Sequence, residues 1–78
     1  MLSWGGADTL DWTFGGVNPV NWIIFQRPNS GVEWAAWDTA GGPDRTYEGA
    51  TDPGDYMIQG QDADGHPVVQ DSNIVHHA

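Results

Sequence analysis

Three groups of side chains in this 78-residue chain have types and spacings that bear on chemistry. His76-His77 offers adjacent imidazoles, but neighbours on an extended chain point to opposite sides and no third ligand is near. The pair is therefore expected to be part of a short tail, residues 76–78, and not a metal site. Asp62-Ala63-Asp64-Gly65 matches the middle of a calcium loop. The residues that follow supply Val, Gln and Asp where a twelve-residue loop needs a bidentate acid, so the stretch reads as a turn, with His66 as a hairpin residue. Ser3, Ser30 and Ser72 lack the Gly-x-Ser-x-Gly setting of an activated nucleophile, no Lys exists for imine chemistry, and no pair of acids is placed to split its pKa values. No catalytic residue, metal site or cofactor is expected.

Composition narrows the partners. There is no cysteine, which excludes a disulfide framework, thiolate-bound zinc and thiol catalysis together. Acids number eleven against Arg27 and Arg45 alone, for a formal net charge of −9. Affinity for a polyanion comes from Lys and Arg that displace its counterions, so nucleic acid and anionic membrane are poor partners. The acids are scattered from Asp8 to Asp71, as on a solvated surface. Read as a gene product complete from Met1, the chain is expected to carry no signal peptide, for it opens on no basic and apolar leader. With no apolar run of about 18 residues, it is expected to have no membrane span.

The elements that must position any site are strands. Eleven Gly and five Pro cut the chain into pieces too short for helices. Leu10-Asp11-Trp12-Thr13-Phe14 alternates apolar and polar like a half-buried strand, and Val20-Asn21-Trp22-Ile23-Ile24-Phe25 is apolar enough for a central one. Pro28-Asn29-Ser30-Gly31 is turn chemistry, followed by a strand at Glu33-Trp34-Ala35-Ala36-Trp37 with a bulge that brings both Trp side chains to one face. Arg45 to Glu48 makes a short strand. Val68-Val69 and Ile74-Val75 read as one last strand broken in the middle, and Leu2-Ser3-Trp4 as a brief opening one. Five Trp, two Tyr and two Phe supply the apolar bulk that so short a chain needs.

Asp52-Pro53-Gly54-Asp55-Tyr56-Met57-Ile58-Gln59-Gly60 reads as a tight turn into a strand with an inward Tyr, the pattern of a tyrosine corner, whose hydroxyl bonds back to the turn backbone. With Leu10-Asp11-Trp12, Trp22-Ile23-Ile24-Phe25, Asn29-Ser30-Gly31, Asp62-Ala63-Asp64-Gly65 and Ser72-Asn73, nearly the whole chain resembles a fibronectin type III module. The resemblance implies an all-β, seven-stranded antiparallel β-sandwich of fibronectin type III or immunoglobulin-like type over residues 1–75. It places Trp12 on the second strand and Tyr56 at the start of the sixth. Gly60 departs from it, standing where the family packs a larger aliphatic residue, and the edge of the first strand is expected to be open to a neighbour.

The expected core is Leu10, Trp12, Trp22, Ile24, Tyr56 and Ile58. The segments that such a core explains least are Met1, Leu2, Ser3 and Trp4 and the loop of Gly15, Gly16, Val17 and Asn18, which are the candidate partner contacts. The function expected is non-catalytic: a structural or interaction protein, similar to the small immunoglobulin-like proteins on tailed-bacteriophage virions, bound to capsid or tail subunits or to itself. The alternative is an extracellular spacer or carbohydrate-associated module of a secreted multidomain protein.

Overall fold

The computed structural model describes every residue, Met1–Ala78. Its elements are seven strands and no helix: β1 (Leu2–Gly6), β2 (Thr9–Trp12), β3 (Asn21–Arg27), β4 (Ala35–Gly41), β5 (Thr46–Tyr47), β6 (Gly54–Gln61) and β7 (Val75–His77). They pair antiparallel into a three-stranded sheet, β1-β2-β5, and a four-stranded sheet, β4-β3-β6-β7.

Alternation decides what each strand buries. Leu10 and Trp12 point inward from β2, Trp22 and Ile24 from β3, and Gly54, Tyr56, Ile58 and Gly60 from β6. The side chains from both sheets meet in one buried cluster, Leu2, Leu10, Trp12, Trp22, Ile24, Ala50, Tyr56 and Ile58, which makes the molecule a two-layer β structure.

The Tyr56 hydroxyl donates to the Asp52 carbonyl at 2.7 Å, closing the turn that starts β6. Gly54 makes that turn feasible. Its φ of +135° disfavours any side chain, and a Cβ there would lie 2.2 Å from the Arg27 carbonyl oxygen.

Several expectations change. The strand expected at Glu33–Trp37 begins instead at Ala35, opposite Gln26, because the turn closes only at Val32, and Glu33 and Trp34 follow it without pairing. Trp37 is the bulged residue, since Ile24 faces Asp38 while Phe25 faces Ala36, and it turns inward toward Tyr56. Trp34 does not join it and lies under the Arg27 guanidinium, 4.2 Å from the ring centre.

The last strand is also displaced. A Cβ on Gly60 would sit 2.7 Å from Val69 Cγ2 and 3.0 Å from Pro19 Cγ, so Val69 fills the place of the missing side chain. The N–H groups of Val68 and Val69 both aim at the Gly60 carbonyl, which removes them from any ladder. Beyond Val69 and before the ladder resumes at Val75, Ser72 alone bonds the β6 backbone, by its N–H to the Ile58 carbonyl and its Oγ to the Ile58 N–H, so residues 68–74 are irregular and His76 and His77 belong to β7 rather than to a tail.

The edge of β1 is closed at Leu2. Leu2 N–H donates to Asn73 Oδ1 at 2.8 Å and Asn73 Nδ2 donates back to the Leu2 carbonyl at 2.9 Å, so the side-chain amide acts as a surrogate strand.

Candidate functional site

The candidate partner contacts divide. Leu2 is only 1 % exposed and Trp4 is half-buried, because inward positions alternate along β1, so neither offers a free surface. The Trp4 ring packs edge-on against Tyr56 and His77, at 5.7 and 5.4 Å, and its indole N–H donates to the His76 carbonyl. Met1, Ser3, Gly15, Gly16, Val17 and Asn18 are exposed, Val17 at 92 %. The loop is held from behind, where Arg45 donates to Asn18 Oδ1 and to the Gly42 carbonyl.

The histidines that sequence spacing sets apart are separated in space as well. His76 Nδ1 lies 2.9 Å from Asp55 Oδ1, and His77 Nε2 lies 2.7 Å from Asp8 Oδ1. The Asp8 carboxylate holds the His77 imidazole above its ordinary pKa. Hydrogen bonds from His76 and then Arg27 hold the Asp55 carboxyl below its own. Asp62 Oδ1 accepts from the N–H groups of Asp64 and His66, and these bonds lower its pKa. Ligand atoms of Asp62, Asp64 and His66 lie within 4.8 Å of one another, in a turn already closed by its own backbone.

Tyr47 and Asp38 tie the two sheets across one edge at 2.8 Å. Burial and the Asp38 contact push the tyrosine up to about 12, while the Thr39 N–H and then Tyr47 lower the Asp38 carboxyl. These shifted groups all hold strands or turns in place.

The concave feature lies on the other side of the molecule. A cleft of about 250 Å³ opens between the start of β1 and the irregular stretch before β7. Trp12, Phe14, Trp22, Ile58 and Val69 form its apolar wall, and Gln70, Asp71, Ser72 and Asn73 its polar one. Much of that polar wall is already engaged: Ser72 Oγ takes the Ile58 N–H, Asn73 serves Leu2, and Asp71 Oδ1 accepts from Gln59 Nε2. Trp12 Nε1 is the exception, the one buried side-chain polar atom with no partner.

Sequence reasoning places Trp12 and Trp22 in the core, and both are buried. It misses the cleft, because Gln70 to Asn73 reach Trp12 only through the displacement that Gly60 and Val69 impose. No helix is long and apolar enough to cross a membrane. Comparison with known proteins matches nothing: no family model, no curated protein and no solved structure aligns with this chain.

Proposed function

We propose that the chain is a non-catalytic structural and interaction protein, a fibronectin type III or immunoglobulin-like module that docks on protein, and that its setting is the surface of a tailed-bacteriophage virion, on capsid or tail subunits. Strand order supports the module. In the immunoglobulin constant arrangement, strands one, two, five and four form one sheet and three, six and seven the other. The order β1-β2-β5 and β4-β3-β6-β7 differs from it only by the transfer of the fourth strand to the opposite sheet. The hydroxyl-to-backbone bond of Tyr56 supports it further.

One observation carries the docking reading: the cleft is bordered by exposed apolar side chains. Met1, which lines it, is 81 % exposed, and Val68 and Ile74, next in the chain to the lining residues Val69 and Asn73, are both exposed. Apolar groups around a concave anchor point are the anatomy of a protein interface. The carbohydrate-associated alternative has less behind it, since Trp12 and Trp22 are 4 % and 2 % exposed and offer little ring face for a sugar to stack on.

The virion setting is tested by quantitative mass spectrometry of density-banded particles. Recovery of this chain in fixed ratio to a capsid or tail subunit is expected. Its absence from particles, together with its presence in a longer secreted polypeptide, would remove the virion setting in favour of the module reading.

A further inference from the structure

We propose that the cleft is the receptor for an extended peptide segment of another protein, which lays one apolar side chain against Met1, Phe14 and Val69, over the buried Trp12 and Trp22, and carries Lys or Arg beside it. This rests on the reading of the chain as a protein-docking module and names the chemistry of what docks.

Size sets the first condition. At roughly 30 Å³ per water, a cleft of about 250 Å³ has room for on the order of eight waters. That is below the ~300–1,000 Å³ of sites that enclose a whole drug-sized ligand, and it suits a single side chain with its own backbone at the mouth.

Hydrogen bonding sets the second. Trp12 Nε1 is a buried donor with no acceptor, but it is shielded from the space of the cleft, so the donors within an occupant's reach are those of the wall. The adjoining backbone is short of acceptors too. The N–H groups of Gln70, Asp71, Asn73 and Ile74 donate to nothing in the chain, because the ladder along β6 is interrupted between Val69 and Val75. An extended peptide supplies carbonyls at regular intervals, and recognition by main-chain pairing plus a side-chain pocket is the mode it would use.

Charge selects among extended peptides. Asp71 stands in the polar wall with Oδ2 unengaged, and the chain as a whole carries −9. The one cation in the lining, the Met1 ammonium, is already held by the Thr13 carbonyl and hydroxyl. A second copy brings another −9, and its two arginines are both engaged, Arg27 by Asp55 and Trp34, Arg45 by the Gly42 and Asp44 carbonyls and Asn18. A partner with Lys or Arg flanking the inserted side chain meets no such repulsion and gains in encounter rate and specificity.

The test is a titration of the ¹⁵N-labelled full chain with the blocked peptide acetyl-Lys-Thr-Ile-Thr-Lys-amide, followed by NMR at low and at physiological salt. Parallel titrations use the peptide with Gly in place of Ile, the peptide with Glu in place of both Lys, and cellobiose. Saturable shifts are expected at the Trp12 indole N–H and at the amides of Gln70, Asp71 and Asn73. The Gly peptide should bind at least tenfold more weakly. The Glu peptide on the native chain, and the Lys peptide on the Asp71→Asn variant, should each bind at least threefold more weakly.

Equal shifts from all three peptides, or none at millimolar concentration, would overturn the proposal. A cellobiose shift at the same indole would replace it with a sugar site, and concentration-dependent shifts without peptide would replace it with self-association. Loss of peptide binding with the chain still present in banded particles would discard the cleft and keep the virion setting. The opposite pair of results would do the reverse.

Discussion

Two aromatic triads of similar make-up lie in this small molecule, and they differ in how their polar atoms are met. Around the corner of β6, Trp4 and Trp37 each meet Tyr56 edge-on, with centroids 5.7 and 6.0 Å apart. Every polar atom there is satisfied: Trp4 by the His76 carbonyl, Trp37 by that of Gly49, Tyr56 by that of Asp52. At the cleft, Trp12 and Phe14 meet Trp22 in the same edge-on manner, at 5.9 and 5.3 Å. Trp22 finds the Gly42 carbonyl, and Trp12 finds nothing. Ring packing of this kind holds both regions together, so it does not separate scaffold from site. Completeness of hydrogen bonding does.

Cutting out the closed triad gives the largest expected effect. Tyr56→Ala removes a fully buried ring on which two indoles rest and should cost about 3–5 kcal/mol in urea denaturation, against half that or less for Phe14→Ala at the half-buried open end. Equal losses would mean that the two triads are not different in kind.

The next contrast holds ring loss constant. Trp22→Phe takes one of two donors from the Gly42 carbonyl, leaving Arg45, whereas Trp12→Phe removes a donor that had no partner, so the first should be the costlier by about 1 kcal/mol. Matching stabilities would show that Trp12 Nε1 is as well served as Trp22 Nε1.

Gly60→Ala forces Val69 away and should cost about 1–2 kcal/mol while altering the cleft, visible as a displaced Val69 methyl resonance. An unchanged methyl signal would uncouple β6 from the cleft wall.

The smallest effect is one of pH, and it belongs to the closed side. His77 is held above its usual 6.5, so the Asp8 tie stabilises β7 fully below that value and is lost as pH rises through the elevated one. Asp55, held below 3.8, contributes above that pH and loses its effect only in stronger acid. Hydrogen exchange of Val75–His77, corrected for intrinsic rates, should therefore show better protection at pH 5–6 than at pH 9, with the amides of Gln70–Asn73 indifferent. A parallel pH response at both places would break the contrast.

What could be read from the residues follows the range of the forces involved. The Asp52-Pro53-Gly54 turn and the inward Tyr56 are local: four residues separate the hydroxyl from its acceptor, and turn chemistry alone brings them together. The inward face of Leu10 and Trp12 follows from simple alternation. Residues 68–77 resisted because distant partners decide their conformation. Val68-Val69 has strong strand propensity, yet the space left by Gly60 draws Val69 out of register. His76 and His77 extend because Asp55 and Asp8 are waiting, and Asn73 caps Leu2 from 71 residues away. An unmatched indole is beyond periodicity altogether, since burial patterns say which ring is inside and nothing about what its nitrogen meets.

The reciprocal amide bonds between Asn73 and Leu2 have a mechanical consequence. They join the first strand to the stretch leading into the last, beside the Trp4 indole bond to the His76 carbonyl and the Asp8–His77 contact, so tension applied at the two termini loads these ties and the β6–β7 ladder before it reaches the indoles at the centre. This outer layer of ties carries the load first, with β3 shielded behind it inside its sheet.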